Sequence, residues 1–438
     1  MLKTGFARVD ITPTFGTKVA GYFEVRPMDG VLDPLYASAI AFDDGEKKAV
    51  LFALDHLGIR LSFATEVRKA IADATGLPYE AISLTCSHTH LGPESSRNSD
   101  GSLENEEYNL WFQKRLCDAA VMALEDVVPT EMLVCRGRVE DVAFVRRFRM
   151  KDGSVQTNPG LRNPNIDHVL GNTDEESQLL ILKRENKPEI GIVTFQVHPD
   201  VIGGCKVSAD YIKFVRDTYE TLIPNSYCVY LNGAQGDTNH IDVSLDAETD
   251  LVYGYERAKY MGKKIACSVI SNYELAKPVR DGKVNFKEVP LMARYNKGTP
   301  DQLEDAIRRS KIYQEQGLDA ATPEYEGMRK IEVVSEAERI VRVKDFPDEV
   351  SLPLVAISAG GAVFSTVPGE PFTDVGVQIK AGSKFDFTIT TCCSNGDEAY
   401  FPTQSAFDEG GYEVVSTDFA EGTAEQIVRE TLALINSL

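Results

Sequence analysis

The chain has 438 residues, 43% hydrophobic and 26% charged, a globular balance with enough apolar content for a sizeable core. Its formal net charge of −21 argues against a nucleic-acid surface, which needs Lys and Arg to neutralise phosphates, and against adsorption to anionic membranes. Length alone leaves room for two or three domains.

The opening MLKTGFARVDITP lacks the roughly 7 to 15 apolar residues of a signal-peptide core. No later stretch reaches the ~20 apolar residues that span a bilayer, so a soluble, cytoplasmic protein without stable membrane insertion is expected. AVLFAL (Ala49 to Leu54), EIGIVTFQV (Glu189 to Val197) and FTITTCC (Phe387 to Cys393) are short, apolar and β-rich, as buried parallel strands should be. Between them lie helical patterns. ATEVRKAIADATG closes on Gly76 as a C-cap, and DYIKFVRDTYETLIP is stopped by Pro224. From about 299 to 343 the composition turns charged and helical (DQLEDAIRRSKIYQEQG, EYEGMRKIEVVSEAERIVRV), which reads as a helical insertion. The expected fold class is α/β: mixed sheets with helices packed on their faces and the site at the C-terminal ends of strands, in one domain over 1–438. The eight cysteines form no CxxC pair, and reduced thiols are expected.

Three segments share the order strand, polar stop, helix, strand, polar stop: LFALDHLG to ISLTCSHTHLGP, IVTFQVHPD to CVYLNGAQGDTNH, and AVFSTVPGE to TITTCCSNGDEAYFP. Of six histidines, five (His56, His88, His90, His198 and His240) follow predicted strands, while His168 stands apart. The crevice beyond strand C-termini is where open α/β sheets bind ligands, so such residues can converge although distant in sequence.

In SHTHLGP, His88 and His90 are two apart, a spacing that on extended backbone points both rings to one face. One ring then binds a metal while the other faces substrate; polar packing is the alternative. His198 ends the next central strand, and Glu370 follows a Pro-Gly turn at a third. Two imidazoles and a carboxylate suit zinc with a position left for water. A histidine bonded to a carbonyl, and an acid placed near a helix N-terminus, are the structural alternatives for these two. Tyr400 and Tyr412 lie in a polar, Gly-rich loop, where a tyrosine can stabilise an oxyanion, ligate a dication or simply form an aromatic lid.

At these residues the chain resembles the catalytic domain of the neutral/alkaline non-lysosomal ceramidase superfamily. GFARVDITP resembles that family's opening, SHTHLGP its THTHSGP segment, NGAQGDTNH its NxGDxSPN segment and VPGEPFT its PGE(F/P)T segment. YFPTQSAFDEGGYE resembles YxTTxEEYxxQxYE, with the outer tyrosines twelve apart. The resemblance implies that His88, His198, Glu370 and Tyr400 hold Zn2+, that His90 orients water or substrate, and that Tyr412 and Arg146 polarise the scissile carbonyl. Arg146, in FVRRFRM, takes the place of the family's Asn-Arg arginine; Arg147 is the neighbouring choice.

Where the family has a serine in its GDxSP segment, this chain has GDTNH, with Thr238 nearest, so a serine nucleophile is not expected. No C-terminal β-sandwich domain is expected either. The implied activity is a zinc-dependent hydrolase that cleaves an amide (N-acyl) bond of a small, soluble substrate. His90 or a nearby carboxylate would move the proton, with Asp55 or Asp237 bracing a ligand. A zinc esterase, lactonase or cyclic-amide hydrolase uses the same water. A non-catalytic binding protein and a nucleotide-binding α/β enzyme are the further readings, the last lacking any GxGxxG or GxxxxGK[ST] in place after a strand.

Overall fold

The computed structural model describes residues 1–22, 26–96, 105–280 and 282–438. Its first sheet is built from β1 (Lys3–Asp10), β2 (Tyr36–Asp43), β3 (Lys48–Leu54), β4 (Ile82–Cys86), β5 (Val128–Arg138), β6 (Glu176–Arg184), β7 (Glu189–Phe195) and β8 (Ser226–Asn232). In space these run β8-β7-β6-β5-β1-β2-β3-β4, and Lys277–Pro278 adds a short strand against β5. The helices α1 (Leu61–Thr75), α2 (Glu106–Glu125), α3 (Tyr211–Leu222) and α4 (Tyr255–Ile270) belong to this half. A second sheet has the order β9 (Val284–Arg294), β10 (Glu349–Ala359), β11 (Ala362–Thr366) and β12 (Phe387–Thr391). Two long helices, α5 (Pro300–Gln316) and α6 (Met328–Val343), with the short helix Leu318–Ala321 between them, interrupt the β9–β10 hairpin, and α7 (Thr373–Gly382), the short helix Gln404–Glu409, α8 (Tyr412–Ser416) and α9 (Thr423–Ser437) follow.

The strand period of two dictates how these layers stack. In β6, Leu179 and Ile181 enter a cluster with Phe63 of α1, Phe112 of α2, Phe214 of α3 and Ile265 of α4. Their neighbours Leu180 and Leu182 enter another, shared with Ile357, Phe364 and Ile389 of the second sheet. Val363 and Leu352 turn outward onto Ile379 of α7 and Ile427 and Ile435 of α9. The result is four layers: helices, sheet, sheet, helices. Phe42 and Phe364 meet across the sheets with centroids 5.6 Å apart, and truncating such a buried phenylalanine to Ala costs roughly 3–5 kcal/mol.

Each of the three repeated segments is a parallel crossover: β3–α1–β4, β7–α3–β8 and β11–α7–β12. The sheets are mixed because β3 and β7 also pair antiparallel with β2 and β6. Gly76 ends α1 in the left-handed region at φ 73°, where glycine has no Cβ penalty. The side chain of Asp210 caps α3, which ends before Pro224. α5 begins with Pro300 behind a reciprocal Thr299–Gln302 capping box.

At the end where the parallel strands finish, the sheets are stitched together. Cys86 donates its N–H to Cys393 O at 3.1 Å, Cys392 to Asn232 O at 3.1 Å and Asn395 to Leu84 O at 2.8 Å. All eight cysteines are unpaired. Among the described residues no helix is long and apolar enough to cross a membrane.

Candidate metal centre

The loops leaving β4, β7, β11 and β12 converge at that stitched end. Centroids of His88 and His90 are 5.1 Å apart, those of His88 and His198 5.2 Å, and those of His90 and His198 5.6 Å. Each of these histidines has a ring nitrogen within 4.8 Å of those of the other two. Glu370 Oε2 lies 2.9 Å from His198 Nε2 and 3.4 Å from His88 Nε2. A two-residue parallel bridge pairs Glu370 with Tyr400, which sets the carboxylate beside the phenol. The turn before Glu370 needs its glycine: φ is 153° at Gly369, and a Cβ there would stand 2.3 Å from Ala399 O.

His88 and His90 reach the cluster by a different route from the extended backbone expected for HxH. His88 has φ 67°, a left-handed conformation that is uncommon outside glycine and gathers at functional sites. The backbone has left the sheet by then, and His88 N–H bonds to His56 O at 3.0 Å.

Backbone carbonyls decide the tautomers. His88 Nδ1 is 3.1 Å from Leu57 O, and His198 Nδ1 is 3.2 Å from Gln235 O and 3.1 Å from Thr238 O. A carbonyl only accepts, so both Nδ1 atoms carry the proton. Burial first, then Arg146 and His88, holds His198 well below the ordinary histidine pKa, so its ring is neutral near pH 7. Its Nε2 lone pair therefore faces a carboxylate oxygen at contact distance, and both atoms are buried without a hydrogen-bond partner. Two acceptors in that position are relieved by a proton or by a metal ion placed between them. The donor set of imidazole nitrogens and a carboxylate fits a divalent transition metal.

His90 is also neutral, with burial first and then His88 and His198 depressing its pKa; both of its ring nitrogens are buried without a hydrogen bond, and Asp200 Oδ1 lies 3.8 Å from Nδ1. Burial, then Glu370, raises Tyr400 well above the usual phenol value, with Arg146 opposing. Tyr412, whose centroid is 5.8 Å from that of Tyr400, is lifted to about 12, burial again first.

Arg146 places its Cζ 5.3 Å from the Tyr400 ring, donates from Nε to Glu413 at 2.7 Å and from its guanidinium to Gly236 O at 2.9 Å. Burial works against its charge, but Tyr400, Glu413 and Glu370 more than offset it. Arg147 turns away to Glu409 and the Gly410 carbonyl. A cavity of about 280 Å³ opens over the cluster, lined by His88, His90, Glu370, Tyr400 and Tyr412 among others.

The remaining strand-end residues do other work. His56 stacks on Phe112 with centroids 5.0 Å apart and lies 3.0 Å from Ser95 Oγ. His240 packs against Tyr253, and His168 is an exposed strand residue beside Asp167. Asp55 pairs with Arg216 at 2.6 Å, and Asp237 accepts from Thr373 N–H and Oγ1. Neither carboxylate makes the hydrogen bonds that orient the rings, because backbone carbonyls already do so. Two residues went unremarked in the sequence. Glu413 adjoins Tyr412 and is fully buried against Arg146, and Asp397 Oδ2 lies 3.9 Å from His88 Nδ1. Glu413 closes the same motif as Tyr412; Asp397 carries no comparable signal.

No protein-family model matches the chain, and no curated protein does. Among the solved structures that match, two ceramidases do so over its whole length. A neutral ceramidase from Pseudomonas aeruginosa does so with a TM-score of 0.72 and 13% identity, covering 100% of this chain and 74% of that one. A ceramidase complexed with C2 gives 0.72 and 14%, covering 100% and 75%. At such identity the likeness is one of fold, and the chain has the neutral ceramidase-like fold.

Proposed function

We propose, with the neutral ceramidase-like fold as premise, that this protein is a zinc-dependent hydrolase that cleaves the amide bond of a small acylated substrate. The observation that carries the reading is the convergence of His88, His90 and His198 on Glu370, where His198 Nε2 and Glu370 Oε2, two buried acceptors 2.9 Å apart, would be joined by a cation. His88, His198, Glu370 and Tyr400 would hold the ion. When bound, it supplies Lewis acidity that acidifies water and polarises an acyl oxygen, a contribution of several kcal/mol.

The chain's own groups supply the rest. The Arg146 guanidinium, kept cationic by its neighbours, and the Tyr412 hydroxyl donate hydrogen bonds to the acyl oxygen as charge develops there. A ring nitrogen of His90, neutral and without a hydrogen bond, takes the proton of the attacking water and returns it to the departing nitrogen. Carbonyls of Leu57, Gln235 and Thr238 keep the two ligand rings in one tautomer.

Elemental analysis of protein purified without chelator tests the centre. Near-stoichiometric zinc is expected in the wild type and its loss in His198→Ala, with the far-ultraviolet circular dichroism unchanged. Protein with no metal in either form would sink the reading. A panel of matched amides, esters and lactones then identifies the bond, and faster turnover of an ester or lactone would move the assignment to that class.

A further inference from the structure

The cavity above the metal cluster has one wall that the fold's two central sheets do not supply. Ser335, Glu338 and Arg342 of α6 line it opposite His88, His90 and Glu370. Their spacing of i, i+3 and i+7 puts them on one helix face. Most charges around the cavity are already matched. Arg60 Nε pairs with Glu94 at 2.7 Å, Glu398 accepts from Leu61 N–H at 2.6 Å, and Arg342 pairs with Asp418.

Two atoms are not. Ser335, only 6% exposed, has an Oγ with no hydrogen-bond partner, and neither does the buried Oε1 of Glu338. The other Glu338 oxygen has a 3.5 Å contact with Gln314 Nε2 of α5. A buried carboxylate oxygen without a donor is costly, and a carboxylate can only accept. Whatever completes this wall must bring a donor.

We infer that Ser335 and Glu338 form the specificity wall of the site and select a substrate whose portion remote from the scissile bond carries a hydrogen-bond-donating group, a hydroxyl or an ammonium. This rests on the metal-hydrolase reading above. It narrows the substrate class to small polar amides and disfavours both a purely hydrocarbon chain and an anionic tail. An apolar tail leaves both atoms unsatisfied, and a carboxylate tail meets Glu338 charge to charge.

The test uses zinc-loaded protein and four straight-chain hydroxamic acids of equal length that end in hydroxyl, ammonium, methyl or carboxylate, with affinities read by calorimetry. Hydroxyl- or ammonium-ended probes are expected to bind about 10- to 100-fold tighter than the methyl-ended one, the range of a hydrogen bond to a charged group, and the carboxylate-ended probe weakest. The two donor arms tell an alcohol from an amine. In Glu338→Leu the preference should vanish while zinc content and methyl-probe affinity persist; Ser335→Ala should lower it in part. Equal affinities in the wild type overturn the inference without recourse to any variant. So do a carboxylate preference, survival of the donor preference in Glu338→Leu, and zinc-loaded protein that binds no probe. Protein that holds no zinc by elemental analysis fails the underlying reading instead, a distinguishable result.

Discussion

Glu413 Oε1 accepts a hydrogen bond from Arg146 Nε at 2.7 Å, with Glu413 fully buried and the Arg146 side chain 8% exposed. Because Glu413 follows Tyr412 directly, this ion pair ties α8 to the segment that carries Arg146. The other Glu413 oxygen accepts from Thr157 Oγ1 at 2.9 Å and lies 3.6 Å from Arg147 Nε. Glu413 therefore compensates the buried Arg146 and shares Arg147 with Glu409. Breaking a buried pair from one side costs about 3–5 kcal/mol, since the surviving charge stays desolvated. Glu413→Gln should lose that much in chemical denaturation and turn over more slowly through misplacement of Tyr412. A loss below about 1 kcal/mol would mean that water reaches the arginines.

Acid should destabilise the protein through histidines outside the cluster. Burial lowers the His56 pKa to about 3 and that of His240 to about 4. Between pH 6.5 and those values the unfolded chain binds a proton that the folded chain refuses, so stability rises with pH and is lost as pH falls through this window. Each group contributes at most about 1.4 kcal/mol per pH unit. Exchange of His56 for Phe keeps the stack on Phe112 and removes one titration. The slope of unfolding free energy against pH between 5 and 6.5 should then be shallower by about one such increment. An unchanged slope would mean that His56 is protonated in the folded state.

Much of this architecture is legible in the sequence because burial on both faces leaves a plain mark. AVLFAL is uniformly apolar and EIGIVTFQV largely so, each is followed by a polar stop, and each proves to be the first strand of a parallel crossover. The residues at those stops split by a difference that residue type cannot express. His56 and His198 both follow a strand, yet one turns into an aromatic stack and the other toward Glu370. The tautomers of His88 and His198 are set by carbonyls of Leu57, Gln235 and Thr238, and a backbone carbonyl leaves no trace in side-chain identity. The α6 wall was hidden for the opposite reason. Ser335, Glu338 and Arg342 at helical spacing look like a solvated face until the helix is placed over the cavity.

Gly58 offers a check on how tightly the cavity floor is packed. A Cβ there would stand 1.7 Å from Asp397 Oδ2 and 2.4 Å from its Cγ, so Gly58→Ala forces Asp397 to move. Overpacking of this kind costs about 1–3 kcal/mol. Gly203, whose added Cβ would meet nothing within 4 Å, is the matched control, and Gly203→Ala should stay within about 0.5 kcal/mol of the wild type. Equal stability of the two variants would show that the Asp397 loop yields freely.

Tyr400 and Tyr412 are close neighbours to which the proposed mechanism gives different duties, and a single deleted oxygen separates them. Tyr400 is paired by backbone with Glu370 and would complete the metal's ligands, so Tyr400→Phe should weaken zinc retention against a chelator. Tyr412 stands on α8, where Arg339 Nε of α6 also grips Val415 O at 2.8 Å, and is held to donate to the acyl oxygen. Tyr412→Phe should keep its zinc and lower kcat by about 10²- to 10³-fold, the usual effect of losing one oxyanion donor, with little change in KM. Chelator titration followed by steady-state kinetics on both variants reads the two effects independently. Zinc loss in Tyr412→Phe with retention in Tyr400→Phe would exchange their roles, and full activity in Tyr412→Phe would leave Arg146 as the sole side-chain donor to the acyl oxygen.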